Sequence, residues 1–479
     1  MKIEDIDVDS AIESVKALLK EERDLSPSLR SALEVLLLLV ALLLNRVTLN
    51  SNNSSKPPSA DPNREKTSRR GTGARKPGGQ KGRAGTTLQS VAEPDEVKVL
   101  EVDRRTLPKG PTYQVTGYEA RQVIDIDIGR WVTEYRAEML EDGQGNCFEA
   151  AFPTGVNRPV QYGLSVKANA VYMSQYQLIP YERVRDHFED QLEIPVSAGS
   201  VFNFNREAYD RLAPFEQWVR RKLAGAVLMH VDETGVNIAG KRHWLHCASS
   251  AALSWFYPHA KRGTEAMEAM GILPVFAGVL CHDHWKPYYR YGCTHALCNA
   301  HHLRELERAW EQDHQAWAKA MQALLVDLAK AVADAGGWLA PAEAERWRER
   351  YRKLLDEAQL ECPPPEEGQR NGRRGRLKRS KARNLLERLQ TFEDDVLRFM
   401  ELKEVPFTNN QAENDLRMTK VQQKISGCFR STQGAQIFCR VRSYLSTCRK
   451  HGLTATQALR LLFEGKNPDF MTTDEPQAA

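Results

Sequence analysis

Three carboxylates in chemically suggestive surroundings are spread along the 479-residue chain. Asp232 closes the apolar run Ala226-Val227-Leu228-Met229-His230-Val231, and Asp283 closes a second, Val275-Phe276-Ala277-Gly278-Val279-Leu280-Cys281-His282. Glu413 lies far downstream, in Thr408-Asn409-Asn410-Gln411-Ala412-Glu413-Asn414-Asp415-Leu416-Arg417-Met418-Thr419-Lys420. Nearly uninterrupted apolar runs of this length predict central strands, and acids at their ends gather on one edge of an α/β sheet. Two such aspartates and a helical glutamate suit hard divalent cations, which take oxygen ligands and clamp an in-line phosphoryl displacement. The chemistry indicated is metal-dependent cutting and joining of DNA, with two Mg²⁺ ions or Mn²⁺ in their place.

On a helix Glu413, Arg417 and Lys420 fall at i, i+4 and i+7, which sets a ligand beside two cations suited to a scissile phosphate. Two neighbouring acids are set aside as ligands. Glu233 points away from Asp232 if the strand continues, and Asp415 lies about 200° round the helix from Glu413. Cys298 and His301, in Cys298-Asn299-Ala300-His301-His302, have half the spacing of a zinc site but lack a second pair, so they read as a packing motif.

The elements that must position these residues follow from periodicity. Residues 1–49 read as two helices broken near Ser26-Pro27, the second so apolar over 35–44 that the rest of the protein or another copy must cover it. That run is too short to span a bilayer, which takes about 20 residues. Residues 50–88 form a basic, Gly/Pro/Ser-rich flexible linker, in which Arg75, Lys76, Lys81 and Arg83 are candidate DNA contacts. Alternating runs over 89–158, such as Val97, Val99 and Val102, then 123–128 and 131–140, predict a small β-rich module. Residues 159–223 return to helical periodicity, with helices near 164–177, 181–192 and 197–212, the last capped by Ser197. They suit either a DNA-binding helix-turn-helix or a helical bundle of other purpose.

Strands are expected at 226–232, 243–249, 253–257, 274–281 and 294–298, with a short helix at 264–270 and another from His301 to Trp310. Together they form the first part of a catalytic core over 224–310. Residues 311–404 read as a helical insertion, 405–465 as the C-terminal helices of the core, and 466–479 as a disordered tail. The fold class is α/β.

The net charge of +4 is modest, but basic residues are grouped. Nine stand between Lys56 and Arg83, and eight between Arg370 and Arg383 with no acid among them. A third group includes Arg417, Lys420, Lys424 and Arg430. Three basic blocks around a carboxylate triad point to a polyanion, most plainly nucleic acid. Nine cysteines without a Cys-x-x-Cys read as reduced thiols rather than a disulfide framework. The acidic, amphipathic first residues do not form a cleavable signal. The expected setting is the cytoplasm, associated with the nucleoid of a prokaryote.

At these residues the chain closely resembles the transposases of the insertion-sequence-66 family. The matching stretches are His230-Val231-Asp232-Glu233-Thr234-Gly235, Gly278 to Tyr288, Leu297 to Leu306, Asn409 to Arg417 and Phe429 to Gly434. Asn53 to Pro58 and Lys76 to Gln80 are also typical of one branch. The resemblance implies a ribonuclease-H-like core with an Asp-Asp-Glu triad, and by position Asp232, Asp283 and Glu413 inherit its catalytic and metal-binding roles. It casts Cys298 and His301 as structural supports. It further implies binding to terminal inverted repeats and to target DNA, a homo-oligomer on DNA, and accessory proteins of the same element. Many relatives carry paired Cys-x-x-Cys motifs before the helical region; here that interval holds only Cys147, so no zinc is expected.

The sequence thus predicts a DDE transposase that cleaves 3′ ends by hydrolysis and joins them to target DNA. The rival reading is a DNA-binding regulator derived from such an enzyme, its catalysis lapsed. A nuclease with the same core is a third.

Overall fold

The computed structural model describes residues 2–3, 6–22, 24–50, 52–54, 61, 88–365, 377 and 379–472. Two short strands, β1 (Lys2–Ile3) and β2 (Ile6–Asp7), lead into α1 (Val8–Glu21) and α2 (Pro27–Thr48). The break falls where expected. Ser26 Oγ accepts the Leu29 N–H at 3.3 Å, and Pro27 sits in the first turn, where its missing N–H costs nothing. One face of α2 is half-buried at Leu33, Leu37 and Val40, while Leu36, Leu39 and Leu43 on another are each more than half exposed. Its Pro27–Leu44 stretch has a mean hydropathy of 1.9, long and apolar enough by composition to cross a membrane.

The alternation over 89–158 does not yield a β-rich module. One hairpin forms, β3 (Met139–Glu141) with β4 (Cys147–Glu149), while 88–138 holds a single 3₁₀ turn and no strand. Val97, Val123 and Trp131 stand exposed. A two-stranded hairpin with no second layer over its apolar side is marginal, and alternation alone does not supply that layer.

Helices then follow in the predicted places. They are α3 (Leu164–Val171), continued by a π turn to Tyr176, α4 (Tyr181–Leu192), α5 (Ala198–Arg211) and α6 (Ala213–Ala224). Ser197 caps α5, its Oγ accepting the Ser200 N–H at 3.0 Å.

The central sheet contains β5 (Leu228–Ile238), β6 (Lys241–Ser249) and β7 (Ser254–His259). After α7 (Thr264–Met270) come β8 (Val279–His282) and β9 (Thr294–Leu297). Spatial order is β7-β6-β5-β8-β9, the first three antiparallel and the last two parallel to β5. Two expected strands shift. β5 runs six residues past Asp232, because 234–238 pairs with β6 through a turn at Ala239 and Gly240. β8 begins at Val279 rather than 274, because a 3₁₀ turn occupies Leu273–Val275.

Next come α8 (Asn299–Asp313), α9 (Ala316–Asp334), α10 (Pro341–Glu361), α11 (Lys381–Thr391) and α12 (Glu393–Leu397). They build their own core. Trp317, Met321, Leu325 and Leu328 of α9 form one buried stripe in the cluster that also holds Tyr351 of α10 and Leu386 of α11. The chain ends in α13 (Asn410–Ser426), α14 (Thr432–Lys450), α15 (Ala455–Phe463) and α16 (Asp469–Thr472).

α14 covers the free edge of β7. Ser443 Oγ accepts the Phe256 N–H at 2.8 Å and Thr447 Oγ1 accepts the Ser254 N–H at 3.1 Å, so the edge finds partners within the chain. The expected disordered tail is ordered as far as Thr472, since Phe470 stacks on His451 at 4.1 Å and packs against Trp218. The last seven residues lie outside the described ones, as does most of the basic linker and of the 370–383 stretch.

Candidate active site

The parallel pairing of β5 and β8 brings the two aspartates together. Register runs Leu228↔Val279, Met229↔Leu280 and His230↔Cys281. Two residues further, on the same face, stand Asp232 and Asp283. Asp283 lies one residue beyond β8, where the chain turns sharply. His284 adopts the left-handed region at φ 70°, and Asp283 Oδ1 accepts the Trp285 N–H at 3.0 Å. A histidine is tolerated there at modest strain, and the turn fixes the carboxylate.

Glu413 occupies the first turn of α13, whose Ala412 and Leu416 are buried in the same cluster as Val236 of β5 and Leu245 of β6. Asn409, just before the helix, does the locking. Its Nδ2 donates to the Val231 carbonyl at 2.8 Å, its Oδ1 lies 2.8 Å from His230 Nδ1, and its N–H donates to Cys298 Sγ at 3.1 Å. One buried residue thus fixes the glutamate helix to the first aspartate's strand through its side chain and to the start of α8 through its backbone N–H.

Electrostatics show the convergence. Burial holds the Asp232 carboxyl well above the usual range, and the negative charges of Glu233, Asp283 and Glu413 push it further. None of Asp232, Asp283 and Glu413 is ion-paired with a lysine or arginine among the described residues; the nearest basic group is His301 Nδ1, 3.8 Å from Glu413 Oε1. Both of those atoms are buried and hydrogen-bonded to nothing. Uncompensated buried carboxylates are costly, so an oxygen-seeking divalent cation fits this donor set.

The two neighbouring acids have other partners. Glu233 faces the opposite side of β5 and accepts the Tyr288 hydroxyl at 2.6 Å and Arg262 Nη2 at 2.6 Å. Asp415 accepts Lys450 Nζ at 2.8 Å and Ser254 Oγ at 3.0 Å, tying α13 to α14 and β7.

A chain of neutral histidines supports the Asp283 turn. The His284 N–H donates to His282 Nδ1, so His282 Nε2 carries its proton toward His295 Nδ1 at 3.1 Å. His295 in turn donates from Nε2 to the Tyr291 carbonyl at 3.2 Å. Burial pushes the pKa of both His282 and His295 down, which keeps the chain uncharged.

The described candidate DNA contacts share one property. Arg417, Lys424 and Arg430 are exposed. Lys420 is exposed as well, and it donates to the Gly235 carbonyl at 2.9 Å, tethering α13 to β5. Three basic residues of α14 are turned inward. Arg440 pairs with Glu216, Lys450 with Asp415, and Arg442 donates to the Tyr176 carbonyl. Arg75, Lys76, Lys81 and Arg83 lie outside the described residues. Cys298 is buried at the start of α8, its thiol pushed up to about 11 by burial. Sequence reasoning missed Asn409, His230 and the Glu233–Tyr288–Arg262 group, whose partners are remote in the chain; the polar Asn409-Asn410 pair before a helix was the available signal.

No curated protein matches the chain. Residues 5–89 match a family of unknown function. The Transposase IS66 family matches residues 159–437, which include β5, β8, α13 and all three of Asp232, Asp283 and Glu413. Members of such DDE-type families process DNA and generally use divalent metal. With more than half of its length matched, this chain belongs to the Transposase IS66 family, the DDE-type transposases of insertion sequences.

Proposed function

We propose that Asp232, Asp283 and Glu413 are the catalytic triad of a strand-transferring DNA transposase. The observation that carries this is their convergence: two aspartates in matched register on parallel strands, and a glutamate whose charge reaches the first of them. The sheet order β7-β6-β5-β8-β9, three strands antiparallel and two parallel, supports a ribonuclease-H-like core, with α9 to α12 inserted between its second and third acid.

These three residues would hold two Mg²⁺ ions, or Mn²⁺. When bound, the metal supplies Lewis acidity that lowers the pKa of the attacking hydroxyl and takes up charge on the leaving oxygen. The chain's own contribution is orientation. Asn409 and the histidine chain hold the carboxylates in place, and Glu233, neutralised by Arg262, leaves the cleavage side of β5 to Asp232. Cleavage frees a 3′-hydroxyl, which then attacks target DNA in the same site, because both steps are in-line displacements at phosphorus.

Exposed Arg417, Lys424 and Arg430 would track the DNA backbone beside Glu413, with the linker residues Arg75, Lys76, Lys81 and Arg83 reaching further along it. Such contacts make binding fall steeply with salt. Base reading of the terminal inverted repeats belongs, in this reading, to the Ser197-capped helix α5 within a helix-turn-helix. The uncovered apolar face of α2 suits pairing with a second copy in a DNA-bound homo-oligomer, alongside accessory proteins of the element.

The test is a strand-transfer assay with Mg²⁺ and DNA bearing the element's own ends, with the Asp232→Ala protein beside it. Joined products that vanish in the variant are expected. Repeat binding without products, even with the element's other proteins added, would overturn the catalytic reading in favour of a lapsed regulator. Cleavage without joining would favour a nuclease.

A further inference from the structure

Glu413 belongs to two clusters at once. On one side its charge reaches Asp232. On the other, Cys298, His301 and Glu413 each offer one ligand atom, and these atoms all lie within 4.8 Å of one another. We propose that Cys298, His301 and Glu413 form a second cation site, for a thiophilic divalent metal such as Zn²⁺, whose occupant competes with the catalytic metal for Glu413. The competition, though not the site, rests on the proposed catalytic role of Glu413.

Three observations support the site. First, its donor set is thiolate, imidazole and carboxylate, the mixture that Zn²⁺ accepts and Mg²⁺ does not seek. Second, His301 Nδ1 and Glu413 Oε1 are both buried without a hydrogen-bond partner and face each other across 3.8 Å. Two unsatisfied atoms facing each other point to a shared ligand, since buried polar groups otherwise find partners. Third, Cys298 stands at the N-terminal end of α8, where its sulfur accepts the Asn409 N–H at 3.1 Å. That N–H offsets part of the burial that holds the thiol protonated, and a bound cation would displace the proton.

The geometry is close but open. In a tetrahedral site with bonds of about 2.0–2.3 Å, ligand atoms are roughly 3.3–3.8 Å apart, so closure needs side-chain shifts of about 1 Å. Three protein ligands leave a fourth position for water. Around it the charges of Asp283 and Glu305 favour a cation, while that of Arg304 opposes one. Binding replaces the Cys298 S–H bond with a metal–sulfur bond and releases that proton to solvent.

Co²⁺ reports such a site directly, through thiolate-to-metal charge transfer. The reduced, metal-free full-length protein, titrated with Co²⁺ alone, is expected to develop this band at one equivalent per chain and to lose it when Zn²⁺ is added. Cys298→Ser keeps an acceptor for the Asn409 N–H and should abolish the band, whereas Cys428→Ser, on an exposed thiol, should not. If Cys298→Ser fails to melt cooperatively, His301→Asn decides. It should weaken Co²⁺ binding by more than the 10–100-fold, or about that, typical of losing an outer-shell partner. No band in the wild-type protein, or an unchanged one in both variants, overturns the site.

The competition is read separately, by adding Zn²⁺ to strand-transfer reactions in Mg²⁺. Inhibition relieved at least about tenfold in Cys298→Ser supports it; equal inhibition overturns it. A wild-type protein that shows the band but joins no DNA keeps the site and removes the catalytic reading, so the two failures are distinct.

Discussion

Asn409 Oδ1 lies 2.8 Å from His230 Nδ1, a contact between residues 179 positions apart that joins the helix of Glu413 to the strand of Asp232. Replacing Asn409 with Ala leaves the His230 N–H and the Val231 carbonyl buried and unpaired. Each orphaned group costs about 1–3 kcal/mol. Denaturant titration should therefore show a loss in that range or above, together with a fall in cleavage larger than the instability explains at a temperature where the variant is folded. Unchanged cleavage would deny Asn409 its positioning role.

Asp232→Asn should raise stability in the absence of metal. Burial and three neighbouring acids all oppose its charge, so an amide of the same shape relieves repulsion. A gain on the order of 1 kcal/mol is expected in EDTA, as at other sites where function is kept at the expense of stability. Adding Mg²⁺ should raise the melting temperature of the wild-type protein and not of the variant. A variant that melts lower in EDTA would contradict the crowding of carboxylates described above.

Acid should destabilise the fold through its buried neutral histidines. The His246 pKa is lowered from 6.5 to about 4, chiefly by burial. Above pH 6.5 both states are uncharged there. Between 6.5 and 4 the unfolded chain binds a proton that the folded one does not, so stability falls as pH falls. Asp232, whose pKa is raised, pulls the other way, so the difference between wild type and His246→Gln isolates the histidine. Unfolding free energy against pH should be less steep in the variant, by up to about 1.4 kcal/mol per pH unit. Parallel curves would reject the assignment.

Gly278 should tolerate no side chain. A Cβ there would stand 2.4 Å from the Ala226 carbonyl oxygen and 2.7 Å from that of Val227, where β8 enters beside β5. Overpacking of this kind costs about 1–3 kcal/mol. Gly278→Ala should also reduce cleavage by on the order of 100-fold, because it displaces the strand that leads to Asp283. Gly292→Ala, with open space around it, is the control and should be neutral in both measurements.

Much of this arrangement was legible before the structure. Apolar runs placed the strands that lead to Asp232 and Asp283, and Ser26 and Ser197 marked helix starts through hydrogen bonds made within four residues. The extension of β5 past Asp232 was hidden, because Ala239-Gly240 lacks the Asn-Gly or Asp-Gly that usually announces such a turn. The alternation over 89–158 misled, since period two reports a face to be covered but not whether anything covers it. Lys420 reads as a DNA contact by type, and Lys450 carries no local signal of its role. Only the fold shows that the first donates to Gly235 O and the second pairs with Asp415. Partners distant in sequence leave no local signal.

The pairing of His230 with Cys281 also bears on how the family's site could change. Side chains alternate faces along a strand, so a slip of one residue between β5 and β8 would send one aspartate through to the other side of the sheet. A slip of two would carry it past its partner by about 6.6 Å. Neither leaves a usable pair of carboxylates. The separation of the two acids is thus set in discrete steps by backbone pairing and cannot drift by small side-chain changes. Any tuning of metal spacing in the proposed site has to come from Glu413, which is mounted on a helix and not set by strand register.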